Sequence, residues 1–368
     1  MADVWVGGET GVVKAIDLSK KEFGNFGDLS RLNKSSDEVC RMCWFEDNEK
    51  KICIGTKSGV CKIFDTEKKD YVDTKCCFTK EEGEITGLER NEGVLLVCSE
   101  SGIVRILRDS DNEKTDIKVG NHIAGMRKNP FESCQFATGG NENVLKLWDL
   151  NKPEQPLFKA KNVRNDQLDL RVPDYVKDIG FLQSSGSLPK IIVGTAYHKI
   201  RLYDLKAQKR PVLDISYKES PITCVSVPSL EKFIIIGNMH GDMSAIDIRN
   251  GKNLGSYKSF SGSINDIQCH KTEPLVASCG LDRFLRIHHV DTRQLVDKIY
   301  LKSRLKSLLF SKAYKQVSDD VKNDKNKRKH SEKKEGEEDG DDDVWDNMGV
   351  VEDDAVDKKT KKHRKKGK

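Results

Sequence analysis

The chain has 368 residues with 64 Lys and Arg against 59 Asp and Glu, and only 36% of its residues are hydrophobic, too few for a chain packed throughout, so a disordered portion is expected. Its start, MADVWVGGETG, lacks a basic segment leading into an apolar core, and no apolar run approaches the roughly 20 residues of a membrane span, so a soluble, non-secreted protein with no membrane partner is expected. The 11 cysteines are odd in number and mostly lie inside apolar runs such as ICIG and LLVCS, which reads as reduced thiols of an intracellular protein acting as small buried hydrophobes.

In chain order, seven stretches align without gaps: VGGETGVVKAID, IGTKSGVCKIFD, VCSESGIVRILR, TGGNENVLKLWD, VGTAYHKIRLYD, IGNMHGDMSAID and SCGLDRFLRIHH. Each reads as the end of an apolar strand, a turn and a second strand. The turn residues are Gly11, Gly59, Gly102, Asn143, His198, Gly241 and Arg283, mostly types that tolerate a left-handed backbone. Two and four positions later every repeat is apolar, and between those positions six of the seven carry a cation (Lys14, Lys62, Arg105, Lys146, Arg201 and Arg286). This is the period of two of a strand. The recurrence of the cations follows from the recurrence of the register, so they are expected to be solvated or to sit between repeats. Short strands precede most hairpins (VCRMCWF, EITGLER, VKDIGFL, PITCVSV, INDIQCH), and others follow (LGSYKSF, VDKIYLK). Four strands per repeat, a period near 40–45 and the ending Trp148-Asp149 resemble the WD-repeat family, which implies an all-β, seven-bladed propeller over residues 1–311.

The turn residues are spaced by 48, 43, 41, 55, 43 and 42 residues. The long interval follows the fourth repeat, where FKAKNVRNDQLDLRVP spans residues 158–173. Lys159, Lys161, Arg164 and Arg171 alternate there with Asn162, Asn165, Asp166 and Asp169. Forked guanidinium donors suit phosphate or carboxylate, and asparagine can pair with a base edge or a peptide group. A long insertion between packed units is where a scaffold carries variable binding loops. On the residues alone, a solvated strand and linker, with Asp166 and Asp169 pairing to Arg164 and Arg171, accounts for the stretch equally well.

The first repeat lacks room for an inner strand, and SRLKSLLFS at 303–311 is one strand too many for the last. Residues 304–310 are therefore expected to complete the first blade and close the ring, removing the exposed sheet edges. Residues 312–368 hold 17 Lys and Arg and 16 Asp and Glu, which predicts a disordered tail. Its basic blocks contain Lys327, Arg328 and Lys329, then Lys361, Lys362, Arg364, Lys365 and Lys366, a pattern read as nuclear and nucleolar targeting. Trp345 and Met348 stand in the acidic surround DDDVWDNMGVVEDD and read as a short docking motif.

Catalytic chemistry is not apparent. GGETG and TGGNEN sit in hairpin turns without the following Gly-Lys-Ser/Thr of a phosphate loop. Cys40 and Cys43 have no second pair at zinc spacing and face opposite ways on a strand. His288 and His289 occupy the slot where other repeats end in aromatic-Asp. No metal, no cofactor and no catalytic residue is expected.

Together with VWVGGETGVVKAIDL, LVASCGLDRFLRIHHV and YLKSRLKSLL, the element KAKNVRNDQLDLRVP resembles the WD-repeat protein seventy-four and Nsa-one family of nucleolar factors. The resemblance implies a non-enzymatic assembly factor that associates with precursors of the large ribosomal subunit, through their proteins or by direct pre-rRNA contact, and is released during maturation with an AAA-type ATPase implicated. It implies a nucleolar protein that is a monomer within a larger complex. Carrying the docking role onto Lys159, Lys161, Asn162, Arg164, Asn165, Asp166 and Arg171 is the expectation drawn from it. The alternative is a generic WD-repeat adaptor, such as a substrate receptor of a ubiquitin ligase or a chromatin-complex subunit.

Overall fold

Apolar segments alternating with tight turns form seven antiparallel four-stranded sheets among the described residues, which in this computed structural model are 2–27, 36–108, 114–183, 188–229 and 232–314. The chain divides into two units, Met1–Lys315 and Gln316–Lys368; the second, with the targeting and docking residues of the tail from Lys327 to Lys366, lies outside the described residues.

Blade one comprises β1 (Val4–Gly8), β2 (Val13–Asp17) and β3 (Glu22–Phe26), blade two β4–β7 within 39–76, and blade three β8–β11 within 85–118. Blade four holds β12 (Ile123–Lys128), β13 (Gln135–Gly140), β14 (Asn143–Asp149) and the two-residue β15 (Phe158–Lys159). Blade five holds β16 (Val176–Leu182), β17 (Lys190–Thr195), β18 (Lys199–Asp204) and β19 (Leu213–Ser216). Blades six and seven, β20–β23 within 222–257 and β24–β27 within 264–300, complete the series, and β28 (Leu305–Phe310) returns to the first sheet. The sheets are ordered from the inside outward, and the first strands of neighbouring blades lie side by side in a closed cycle in which β28 meets β4. The fold is thus a seven-bladed β-propeller.

Each of seven apolar clusters fills the space between two adjacent blades. Between blades three and four, Leu96, Val104 and Ile106 meet Met126, Phe136 and Trp148. The Phe136 and Trp148 rings stack at 6.4 Å, and the indole N–H donates to Thr138 Oγ1 at 3.0 Å, satisfying a polar group that burial would otherwise penalise. A sheet sandwiched between two others buries both faces of its second strand. Runs such as LLVC and FIII are therefore continuously apolar and buried, while third strands such as Ile103–Arg108 of blade three keep the alternating pattern. Seven cysteines (43, 53, 61, 77, 98, 224 and 279) are buried free thiols within these layers. A blade turn also needs glycine where the chains approach: Gly102 has φ 90°, and a methyl group there would overlap the carbonyl of Gly120.

Closure follows the expected pairing. β28 runs antiparallel to β1, with Val4 opposite Phe310 and Val6 opposite Leu308. Leu305, Leu308 and Phe310 enter the cluster shared with blade seven, whereas Leu309 enters the one shared with blade two. Contacts continue past the strand. The buried Glu49 accepts from Ser311 Oγ at 2.6 Å and from the Lys312 amide at 3.0 Å, and the Tyr314 ring lies 5.8 Å from that of Phe310.

Candidate functional site

The recurring cations of the third strands share one structural role, since most of them reach the connection that arrives from the preceding blade. Lys62 Nζ binds Asp37 at 2.8 Å, Lys146 Nζ donates to the Val119 carbonyl at 2.6 Å, and Arg105 reaches the Cys77 carbonyl. The Arg286 guanidinium lies 4.8 Å over the Phe260 ring. In blade six, where the cation is replaced by Ser244, the hydroxyl bonds to Tyr217 at 2.7 Å. Blade five makes the most buried version: Arg201 Nη1 binds Asp174 Oδ1 at 2.8 Å, both side chains being 1% exposed. Burial raises the Asp174 carboxyl above its usual range, and the Arg201 charge opposes the rise. Asp174 is the last residue of the long insertion before the bridge at Tyr175, so blade five clamps the insertion where it ends.

Blade four holds the same stretch from the other side. Aligned without gaps, Asn143 is its turn residue; instead Asn143 begins β14, and the left-handed residue is Glu142, with φ 51°. A bulge between Thr138 and Gly140 takes up one residue, which leaves the two-residue turn Asn141-Glu142. That turn binds the insertion at four points. Asn141 bridges to Tyr175, the Glu142 amide donates to the Asp174 carbonyl at 2.8 Å, and the Glu142 carboxylate accepts from the Asp174 amide at 3.3 Å and pairs with Arg171.

Within the insertion, the side chains anticipated as a binding set divide into two groups. Asn162 Nδ2 donates to the Val172 carbonyl at 2.5 Å, and its Oδ1 accepts from the Val163 amide at 2.8 Å. Asn165 Nδ2 bonds to Asp169 Oδ1 at 2.9 Å, and Asp166 Oδ1 accepts from the amides of Leu168 and Leu170 at 2.8 and 2.9 Å. These three, with Arg171 on Glu142, build the loop's shape. The local alternative of Asp166 and Asp169 pairing with Arg164 and Arg171 is not what forms: both aspartates serve the loop's own amides, and Arg171 turns to blade four. Lys159, Lys161 and Arg164 are exposed and, among the described residues, their side chains have no hydrogen-bond or ionic partner.

Blade five also supports the loop's outer side. The Lys161 amide donates to the Lys209 carbonyl at 2.8 Å, and Arg210 Nε donates to the Asn162 carbonyl at 3.1 Å. Lys209 and Arg210 thereby join the cationic face. Beside it, a cleft of about 320 Å³ runs between Gly120–Asn121–His122 and the blade-four turn, with Lys146, Lys159 and Glu142 on its wall. Burial and the nearby Lys159 charge both hold the Lys146 ammonium below the usual lysine range. Its clamped frame can present unpaired cations to an anionic or acidic partner.

Sequence reasoning passed over Glu142, because the ungapped repeat conceals the one-residue slip, and over Arg210, which is distant in sequence. It also passed over Leu168 and Leu170, which are 77% and 59% exposed at the loop tip and, among the described residues, belong to no strand.

The family model "WD domain, G-beta repeat" matches residues 251–289. The chain is 42% identical over 309 residues to WD repeat-containing protein 74 of Bos taurus, covering 82% of this chain and 79% of that protein, and 41% identical over the same length to that of Homo sapiens, with the same coverage. It is 28% identical over 299 residues to ribosome biogenesis protein NSA1 of Meyerozyma guilliermondii, covering 71% and 70% of the two chains.

Proposed function

The chain belongs to the family of WD repeat-containing protein 74 and NSA1, and from that premise we propose that it is a ribosome biogenesis factor, a non-enzymatic propeller scaffold for precursors of the large ribosomal subunit. In this reading it works in the nucleolus as a monomer within the precursor particle, the basic blocks of residues 312–368 direct it there, and an AAA-type ATPase takes part in its release. The insertion between blades four and five is the docking element. The observation that carries the reading is similarity over 299 residues to a relative whose name states ribosome biogenesis. The loop geometry supports its local part, since Lys159, Lys161 and Arg164 are held out unpaired on a frame clamped at both ends.

The test is affinity purification of the full chain and of a Lys159→Ala, Lys161→Ala, Arg164→Ala variant from the same cells, after equal melting temperatures have been shown. Large-subunit precursor RNA and proteins are expected with wild type and depleted with the variant. Wild type that brings down no ribosomal precursor would point instead to an adaptor in another complex.

A further inference from the structure

The loop tip has a feature that cationic docking does not use. Leu168 and Leu170 point into solvent, outside all seven apolar clusters, and are the two most exposed of the large hydrophobic side chains among the described residues. Their backbone is held by the Asp166 carboxylate on both their amides and by the reciprocal bond from the Asp166 amide to the Leu170 carbonyl at 3.0 Å. Asp169 between them adopts φ 57° and donates its amide to the Asp166 carbonyl at 3.1 Å. The turn is thus closed by its own hydrogen bonds, and the leucines are displayed without contributing to it. Exposed leucines on a preorganised turn lose little conformational entropy on binding and gain from desolvation.

We infer that Leu168 and Leu170 insert into an apolar pocket of a protein partner whose rim carries carboxylates facing Lys161, Arg164 and Lys209. This rests on the reading of the insertion as a docking element and specifies its partner. Charge complementarity selects an acidic rim, because the side chains of those three cations are exposed and, among the described residues, have no hydrogen-bond or ionic partner, while Asp166 is engaged with its own loop. The leucines select protein over RNA. Single-stranded bases stack on aromatic or guanidinium planes, which an aliphatic side chain does not provide.

The experiment places a photoreactive benzophenone amino acid at position 168 of the full chain in cells, with position 72, an exposed valine of blade two, as control. A Leu168→Asp, Leu170→Asp variant is purified in parallel. The expected result is an adduct to one protein, formed at 168 and not at 72, whose cross-linked peptide borders an apolar pocket flanked by Asp or Glu. That protein should fall at least about tenfold relative to other co-purifying components in the leucine variant, and the variant should melt as wild type does. An RNA adduct, no adduct above the control, or full retention of the cross-linked protein by the leucine variant would overturn the inference. If precursor particles co-purify equally with wild type and leucine variant, the assembly reading stands and this one falls. If the protein adduct forms while wild type carries no ribosomal precursor, the pocket contact stands and the assembly reading falls.

Discussion

Removing β28 should abolish the propeller, although the strand is only six residues long. Truncation after Lys302 deletes Leu305, Leu308, Leu309 and Phe310, each no more than 5% exposed. It also breaks the ladder to β1 and the 2.8 Å pair of Lys306 with Glu38. At about 1.5–3 kcal/mol for each fully buried large apolar side chain, the loss is about 6–12 kcal/mol, comparable with the whole stability of a typical domain at about 5–15 kcal/mol. Because Leu309 faces one neighbouring blade and the other three face the opposite one, two interfaces open at once, along with the edge of β1. Truncation after Tyr314 keeps all of these contacts. Truncation after Ser311 loses the Lys312 amide bonds to Glu49 and the Tyr314 ring, a cost of about 1–2 kcal/mol. Urea unfolding followed by tryptophan fluorescence would compare the three chains. A chain ending at Lys302 that unfolds cooperatively at the midpoint of the chain ending at Tyr314 would refute the closure argument.

Other consequences are equally open to measurement. Arg201→Met leaves the Asp174 carboxylate buried without its partner and should lower stability by about 3–5 kcal/mol; an unchanged denaturation midpoint would contradict the clamp. Glu142→Ala removes a mostly exposed ion pair worth at most about 1 kcal/mol globally, yet it should accelerate amide hydrogen exchange around Arg171–Asp174 while the rest of blade four stays protected. Phe136→Ala, at a position 0% exposed and stacked on Trp148, should cost about 3–5 kcal/mol in unfolding experiments. His288 lies between the Tyr257 and Phe260 rings with Nε2 3.3 Å from the Lys258 carbonyl, and burial pushes its pKa down to about 4 from 6.5. The unfolded chain therefore binds this proton more readily. The contribution of the neutral imidazole is fully present above pH 6.5 and is lost as pH falls toward 4, so His288→Phe should flatten that part of the stability profile, and a parallel profile would remove His288 as its source.

Much of the architecture was readable from local pattern. A period of two recurring seven times, turn residues tolerant of a left-handed backbone, a first repeat without room for an inner strand and a surplus strand at 303–311 are each set by backbone geometry acting over a few residues. They determined blades, hairpins and ring closure, and the long interval located the insertion. What Asn162, Asn165, Asp166 and Arg171 do could not be read in that way. In sequence they alternate with Lys161 and Arg164, and only their partners, Val172, Asp169, Leu168, Leu170 and Glu142, separate residues that shape the loop from residues that are free to bind. Glu142 acquired its place through a bulge in its own hairpin, and Arg210 reached Asn162 from 48 positions along the chain. Strand periodicity is written within a short window, whereas the engagement or exposure of a polar or apolar side chain depends on groups that only the closed ring brings beside it.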